Sequence, residues 1–217
     1  MNPLTASKTS REGPMQFDHL EIVGIAIEAG LSIMDVYDSS VQIEVQSKDD
    51  DSPLTKADIA AHKTIIRGLS TINPEVPVVS EEGRVGDPKK SELAWLVDPL
   101  DGTKEFIKRN GMFTVNIALM KRMGPKWKPI FGVVHAPVNR TTWFGGVDVP
   151  ATKITDAETS EISVKKQTST QPRLVASGSH RAERDEKFAR ELGDHELVRM
   201  GSSLKALSLI HISEPTR

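Results

Sequence analysis

Carboxylate side chains occur in three short segments that border apolar stretches of the sequence. The segments are Asp49-Asp-Asp-Ser-Pro-Leu-Thr-Lys-Ala-Asp58, Ser80-Glu-Glu-Gly83 and Asp98-Pro-Leu-Asp-Gly-Thr103. Carboxylates and backbone carbonyls are hard oxygen ligands, which suit Mg²⁺ better than softer metals. The pattern therefore indicates a magnesium site, provided that the fold brings the segments together.

Each acidic segment also has a purely structural interpretation. The first could be a solvated turn followed by a capping box, in which Thr55 and Asp58 satisfy the start of a helix. Residues 81–82 could belong to an exposed loop, and Asp101 could simply precede a turn. The occurrence of all three segments in one chain favours a functional role over these structural ones, because Asp98 ends a strongly apolar stretch. A carboxylate at such a place costs several kcal/mol unless it is paired or binds a metal.

The turn after Asp98 combines groups for a metal with groups for an anion. Asp98 and Asp101 offer carboxylates, and the carbonyl of Leu100 lies between them. Gly102 allows close backbone approach, and N–H groups at the start of the next helix can hold an anion. Carboxylates for a metal beside amides for a phosphate describe metal-assisted phosphate hydrolysis.

Three other motif interpretations fail on particular residues. A calcium-binding EF-hand loop beginning at Asp49 would have Leu54 where Gly is needed and Ala60 where Glu is needed. Phosphatases that form an aspartyl-phosphate use Asp-x-Asp-Gly-Thr with the first Asp as nucleophile, and Pro99 occupies that place. The sequence also lacks a Gly-x-x-x-x-Gly-Lys-Ser/Thr phosphate loop.

The composition excludes further classes of function. The 217 residues include 28 Lys and Arg, 30 Asp and Glu and no Cys, which gives a formal net charge of −2. Without thiols there are no disulfides, cysteine nucleophiles or iron–sulfur clusters. The near-neutral charge gives no reason to expect a nucleic-acid polymer as partner. No apolar run approaches the roughly 20 residues of a transmembrane helix.

Hydrophobic periodicity predicts the elements that must position these groups. A first helix ends near Tyr37, and its predicted buried face carries Leu20, Val23, Ile27, Leu31 and Met34. A second helix begins at the Thr55 cap and runs to about residue 69, and a brief third helix begins near Thr103. Strands are predicted at 41–45, 76–80, 94–98, 113–120, 129–136 and 141–145. The last three of these form a meander, and a polar loop is predicted at 81–92.

A change of composition predicts the domain organisation. Residues 148–172 are rich in Thr, Ser and Lys, so we predict a linker or boundary at 151–172. It separates an N-terminal metal-binding α+β domain at 15–150 from a C-terminal α/β unit at 173–206. That unit has strands at 174–177 and 197–200 and helices at about 182–192 and from Gly201 onward. Residues 1–14 are predicted to be a disordered leader.

Taken together, the motifs resemble the inositol monophosphatase superfamily and, within it, the 3′(2′),5′-bisphosphate nucleotidase branch of the CysQ type. The resemblance rests on Ser52-Pro-Leu-Thr-Lys-Ala-Asp58, Val79-Ser-Glu-Glu82 and Trp95-Leu-Val-Asp-Pro-Leu-Asp-Gly-Thr-Lys-Glu-Phe106. Near the C-terminal end, Gly201-Ser-Ser-Leu-Lys205 resembles a further family motif more weakly. The resemblance implies an α/β (α+β) fold, a layered αβαβα sandwich of the sugar-phosphatase type.

The resemblance also implies a role for each motif residue and two or more Mg²⁺ ions. Glu81, Asp98 and the Leu100 carbonyl would bind the first ion, and Asp98 and Asp101 would contribute to the second. Asp58 and Thr103 would be catalytic, since they would orient and deprotonate the attacking water. The implied substrate-binding residues are Glu81, Gly102, Thr103, Lys104, His180, Ser202 and Lys205. For His180 and Lys205, a surface histidine and a solvated lysine stay open as alternatives.

The implied substrate is a small nucleotide bisphosphate, 3′-phosphoadenosine 5′-phosphate, which is converted to AMP and phosphate in sulfur assimilation. The implied location is the cytoplasm, with a peripheral position at the inner face of the cytoplasmic membrane as the family alternative. An inositol-phosphate or sugar-bisphosphate phosphatase, or an inactive metal- or anion-binding fragment, stays open as an alternative function. The sequence does not indicate an oligomeric state.

The resemblance ends near residue 206. Family members continue into further strands and a Trp-Asp-x-Ala helix start, whose Asp completes the second metal site, whereas this sequence reads Ala206-Leu-Ser-Leu-Ile-His-Ile-Ser-Glu-Pro-Thr-Arg217. We interpret residues 207–217 as a non-native tail of the kind that a translated sequencing adapter produces. On this interpretation the last part of the second unit is missing, and the chain is expected to be a poor catalyst.

Overall fold

Two long helices, α1 (His19–Tyr37) and α2 (Lys56–Ile72), pack against each other and against a large sheet in the computed structural model. The structure describes residues 18–39, 45–47, 53–163, 173–177 and 183–211. The predicted capping box begins α2, because Thr55 Oγ1 accepts from Ala57 N and Asp58 accepts from Thr55 N. Both predicted helices are confirmed. A third, brief helix, α3 (Thr103–Ile107), also begins where the sequence predicts it.

The buried face of α1 differs from the predicted one. Leu20 and Leu31 are each 61% exposed. The residues of α1 that are buried are Ile22, Val23, Ile25, Ala26, Ala29, Gly30 and Ile33. Because α1 carries apolar residues around most of its circumference, two stripes at helical spacing are available and only packing decides between them. Gly30 lets the observed face of α1 approach His135 closely, since a Cβ at residue 30 would lie 2.5 Å from Cδ2 of His135.

An eight-stranded mixed sheet has the strand order β10-β9-β8-β7-β6-β5-β3-β4. Its strands are β3 (Val78–Ser80), β4 (Gly83–Val85), β5 (Leu93–Asp101), β6 (Thr114–Met123), β7 (Lys126–Ala136), β8 (Thr141–Gly146), β9 (Val149–Ile154) and β10 (Thr159–Glu161). β3 and β5 pair in parallel, and the other neighbours pair antiparallel. The predicted meander is therefore confirmed. Its inward side chains join those of α1 and α2 in one core, in which Trp95, Phe106 and Phe113 are the largest fully buried side chains.

Two segments that the sequence predicts to be irregular contain regular structure. The predicted loop at 81–92 contains β4 and a 3₁₀ helix at Pro88–Lys90. The predicted linker at 151–172 contributes most of β9 and all of β10, so the sheet continues through Glu161. A Thr/Ser/Lys-rich composition also suits a sheet edge with solvated faces, which explains why part of this segment is strand. Residues 164–172 lie outside the described residues, and the domain limits stay predictions.

Smaller elements flank the large sheet. β1 (Val45–Ser47) and β2 (Pro53–Thr55) pair antiparallel, and residues 41–44 of the predicted first strand lie outside the described residues. The C-terminal unit comprises β11 (Arg173–Ser177), α4 (Glu183–Leu192), β12 (Glu196–Met200) and α5 (Leu204–His211). Its two strands pair in parallel, which confirms the predicted βαβα order.

The predicted α/β class is confirmed as a mixed sheet with flanking helices. Among the described residues, no helix is both long enough and apolar enough to span a membrane.

Candidate active site

The end of β5 carries the two carboxylates of the Asp-Pro-Leu-Asp turn. Asp98 Oδ1 accepts a hydrogen bond from Leu100 N at 3.2 Å, and the register between β5 and β6 shifts between Asp98 and Asp101. Gly102 follows with a φ of 99°, in the left-handed region where Gly is favoured. This local irregularity ends the strand and starts α3 directly after the second carboxylate.

Asp98 lies among other carboxylates. Burial raises the pKa of Asp98 to about 8, and repulsion from Asp101 and Glu81 adds to the rise, as does a side-chain hydrogen bond with Glu81. An approaching cation would favour the ionised form of such a group. Among the described residues, no three His, Asp or Glu side chains form a metal-holding group by themselves. The donors that are present, the carboxylates of Glu81, Asp98 and Asp101, are hard oxygens of the kind that a divalent cation such as Mg²⁺ prefers.

Glu81 begins the turn between β3 and β4, where it lies beside β5. Its N–H donates to Val97 O at 3.1 Å. The preceding residue, Ser80, holds this turn: its Oγ accepts from Glu82 N at 3.4 Å and lies 2.9 Å from Nδ1 of His62 on α2. His62 therefore ties the Glu81 turn to α2. Sequence reasoning missed this residue, although its position four residues after Asp58 places both on one face of α2.

The sequence predicts that Glu81 binds Mg²⁺, and His62 holds the Glu81 turn through Ser80. Replacing His62 by Ala is therefore expected to weaken Mg²⁺ binding by about 10-fold, the lower end of the 10- to 100-fold loss for residues that support a metal ligand. Isothermal titration calorimetry with MgCl₂ measures the effect. His62→Asn is the matched variant, since its amide can still reach Ser80, and it should recover most of the affinity. Unchanged Mg²⁺ affinity in His62→Ala would contradict the positioning role.

The two carboxylate oxygens of Asp58 contact different parts of the fold. It is 1% exposed, and its Oδ2 accepts from Thr55 N at 2.8 Å and from Thr55 Oγ1 at 2.6 Å. Its Oδ1 lies 3.2 Å from Thr103 Oγ1, which lies equally far from Leu100 O. A hydroxyl has one proton, so Thr103 donates to one of these acceptors at a time. One oxygen of Asp58 thus caps α2 and the other faces the Asp-Gly-Thr turn.

Asp101 is contacted by the C-terminal unit. Its Oδ2 accepts from Ser203 N at 2.6 Å, from Ser203 Oγ at 2.5 Å and from Asn116 Nδ2 at 3.1 Å. Neither Ser203, which lies in the Gly201–Lys205 motif, nor Asn116 is a predicted site residue. The signal for Asn116 was a polar residue between Val115 and Ile117, within the otherwise apolar run 115–120.

The remaining predicted substrate-binding residues fall into three groups. Ser202 is buried against the turn: a Cβ on Gly102 would lie 3.2 Å from its Cβ. Lys104 is exposed in the first turn of α3, and Lys205 is half-buried in the first turn of α5. His180 lies outside the described residues, as do residues 49–52 of the first acidic segment. The roles of these residues stay predictions.

A groove of about 560 Å³ adjoins the carboxylates. Glu81, Asp98, Asn116 and Ser203 line it together with residues of β5, β6 and β7. Side chains alternate across a sheet, and the neighbours of Asp98 and Asn116 in their strands belong to the core beneath α1 and α2. The groove therefore lies on the opposite face of the sheet, next to α5.

A sequence model of the inositol monophosphatase family matches residues 18–213. The chain belongs to the inositol monophosphatase family. All the motifs that carry the predicted resemblance lie within the matched range, which confirms the resemblance. The match runs to residue 213, so it extends past the predicted end near residue 206. This family therefore includes the chain that carries the carboxylates of Glu81, Asp98 and Asp101, the contact between Asp58 and Thr103, and the groove.

Two relatives in the family are named 3′(2′),5′-bisphosphate nucleotidase CysQ. The protein from Salmonella typhimurium is 43% identical over 195 residues, which cover 85% of this chain and 73% of that protein. The protein from Escherichia coli K12 is 44% identical over 191 residues, with the same shares covered.

Solved structures of the inositol monophosphatase family share the fold. CysQ from Bacteroides thetaiotaomicron, described as a bacterial member of the family, superposes with a TM-score of 0.71 at 32% identity, covering 88% of this chain and 75% of that chain. An IMPase from Thermotoga maritima superposes with a TM-score of 0.72 at 22% identity, covering 89% and 72%. The latter likeness concerns the fold alone.

Proposed function

We propose that this protein is a metal-dependent 3′(2′),5′-bisphosphate nucleotidase, which converts 3′-phosphoadenosine 5′-phosphate to AMP and phosphate. The observation that carries the proposal is the proximity of Asp98 to Asp101 and to Glu81 of the neighbouring turn, beside the contact between Asp58 and Thr103. Relatives that are 43% and 44% identical bear this enzyme name, which supports the choice of substrate. The proposed enzyme acts on this small molecule in the cytoplasm.

The proposed metal ligands are Glu81, Asp98, the Leu100 carbonyl and Asp101, and the proposed metal is Mg²⁺, with two or more ions. When bound, divalent cations lower the pKa of a nucleophilic water and offset the negative charge that develops on the leaving oxygen. The fit rests on the chemistry of the donors: all are hard oxygens, and repulsion between the carboxylates, which helps to raise the pKa of Asp98, is relieved by positive charge.

Asp58 and Thr103 are the proposed catalytic pair. Because Thr55 holds Oδ2 of Asp58, the Oδ1 atom is fixed 3.2 Å from the Thr103 hydroxyl. That hydroxyl can donate to Asp58 while it accepts from water, which passes the water proton towards the carboxylate. The water oxygen forms the new bond to phosphorus, the bond from phosphorus to ribose O3′ breaks, and O3′ takes up a proton from solvent to become the 3′ hydroxyl of AMP. The amides of Gly102 and Thr103 are the proposed contacts to the phosphate that is cleaved.

The nucleotide portion is the proposed ligand of Lys104, His180, Ser202 and Lys205, with Glu81 also near the substrate. A cation at Lys205 would pair with the phosphate that is not cleaved. Support for this part comes from Ser202, which is buried against Gly102 and so brings the C-terminal unit to the phosphate-binding turn.

Phosphate release measured with MgCl₂ tests the proposal against its alternatives. We expect kcat/KM for 3′-phosphoadenosine 5′-phosphate to exceed that for inositol 1-phosphate by at least about 10-fold, a modest discrimination for a shaped site. A preference for inositol 1-phosphate or a sugar bisphosphate would overturn the choice of substrate. Calorimetric binding of Mg²⁺ and phosphate without turnover of any of these substrates would support the metal- and anion-binding alternative.

A further inference from the structure

One oxygen of the Asp101 carboxylate receives a convergent set of hydrogen bonds. Ser203 donates to Oδ2 from both its backbone N and its Oγ, at 2.6 and 2.5 Å, and Asn116 Nδ2 lies 3.1 Å away. Asn116 Nδ2 also lies 3.0 Å from Ser203 Oγ, so the two donors support each other. In the described part of the chain, these hydrogen bonds of Asp101 all end on Oδ2. None of these donors occupies Oδ1.

The two donors come from different parts of the fold. Asn116 lies on β6 directly opposite Asp98 in the sheet register, so it belongs to the same rigid sheet as the carboxylates. Ser203 is 102 residues from Asp101 in sequence and immediately precedes α5 of the C-terminal unit. Its backbone N–H points at a carboxylate from the start of a helix, a favourable place for negative charge.

Close packing holds Ser203 in this position. A Cβ on Gly201 would overlap Cγ of Glu105 and lie 3.0 Å from Met112 O, and a Cβ on Gly102 would approach Ser202. The next residue, Leu204, is 8% exposed and packs in a small apolar cluster with Ala136 and Trp143. The Ser203 contact is thus one part of an interface between the C-terminal unit and the large sheet.

We infer that Ser203 and Asn116 are positioning residues for Asp101, and that they make metal affinity depend on the docking of the C-terminal unit against the sheet. The inference rests on the proposed function, because it assigns Asp101 to a metal ion. Charge-assisted hydrogen bonds to one oxygen stabilise the ionised carboxylate and restrict its rotation. Outer hydrogen-bond partners of this kind orient metal ligands and tune their affinity.

The test measures binding of Mn²⁺, a paramagnetic stand-in for Mg²⁺, by electron paramagnetic resonance. Ser203→Ala and Asn116→Ala are each expected to weaken Mn²⁺ affinity by about 10-fold. The double variant is expected to lose less than the product of the single losses, because both donors act on one oxygen. Ser203→Thr keeps the hydroxyl and should restore affinity.

Ser32→Ala is the matched control, since it also removes a part-buried hydroxyl with two hydrogen bonds, here to Glu28 O and to Thr64 Oγ1 between α1 and α2. It should bind Mn²⁺ like the unsubstituted protein. Melting curves without metal show whether each variant folds. If Asn116→Ala does not fold, Asn116→Gln, which displaces the amide by one methylene, is expected to weaken binding in the same direction.

Two outcomes overturn the inference alone: unchanged Mn²⁺ affinity in the Ser203 and Asn116 variants, or an equal loss in Ser32→Ala. A different outcome, in which the unsubstituted protein binds no Mn²⁺, overturns the proposed metal site and this inference with it. The two failures are therefore distinguishable in one set of titrations.

Discussion

Replacing Asp98 by Asn is expected to lower phosphate release by at least about 100-fold, the upper end of the loss seen when a residue behind a metal ligand is removed. Asp98 is proposed to contact both metal ions directly, so its loss should cost no less. The same substitution should stabilise the metal-free protein at pH 8. Activity should fall and stability should rise, because the carboxylate proposed to bind the metal destabilises the folded protein when no metal is present.

The expected stability change follows from proton binding. Burial and neighbouring carboxylates raise the pKa of Asp98 from 3.8 to about 8 in the folded state. Between these values the folded state holds a proton that the unfolded state has released, so stability falls as the pH rises from about 4 towards 8. Asn is neutral throughout and escapes this loss. The metal-free Asp98→Asn protein should therefore melt at a higher temperature than the unsubstituted protein at pH 8.

Phosphate release with MgCl₂ and melting curves with EDTA measure the two effects of Asp98→Asn. Asp156→Asn is the control, because Asp156 is an exposed carboxylate that pairs with Arg140 at 3.2 Å, and such surface pairs contribute little. It should leave both quantities nearly unchanged. Retained phosphatase activity in Asp98→Asn would contradict the metal assignment, and a lower melting temperature at pH 8 would contradict the electrostatic account.

The parts of the site that the sequence could predict are those that neighbours along the chain determine. The Thr55–Asp58 capping box, the turn from Asp98 to Gly102 and the start of α3 each depend on a few consecutive residues. Their conformations follow from local hydrogen bonding and from the freedom of Gly. The predicted carboxylates Glu81, Asp98 and Asp101 are also brought together, because strands β3 and β5 are parallel neighbours whose ends meet at one edge.

The parts that the sequence could not predict depend on tertiary packing. Ser203 and Asn116 have no local feature that assigns them to Asp101, since they reach it across 102 and 15 residues of chain. The same holds for His62, which meets Ser80 only when α2 lies beside the sheet. Tertiary packing also selects which face of α1 is buried. Leu20 and Leu31 have the spacing of a buried face but remain exposed.

Lowering the pH from 7 to about 4 is expected to remove about 3 kcal/mol of folding free energy through His135 alone. This side chain is 5% exposed, its Nδ1 lies 2.8 Å from Thr142 Oγ1, and its ring packs against Gly30 of α1. Burial lowers the pKa of His135 from 6.5 to about 4. Below pH 6.5 the unfolded state binds a proton on this imidazole that the folded state does not bind. The contribution of neutral His135 to folding stability is therefore present above pH 6.5 and is lost as the pH falls towards 4.

Urea unfolding of the metal-free protein between pH 4.5 and 7.5 measures this contribution. His135→Asn keeps an amide near Thr142 and has no imidazole to protonate, so it should be less stable at pH 7 but should show a flatter dependence on pH below 6.5. His195→Asn is the control, because His195 is only partly buried in the C-terminal unit, and it shows whether replacing a histidine elsewhere in the fold changes the pH dependence. Since carboxylates titrate in the same range in every variant, the difference between the curves isolates the histidine. An equally steep loss in His135→Asn would show that His135 is not the group that acid protonates on unfolding.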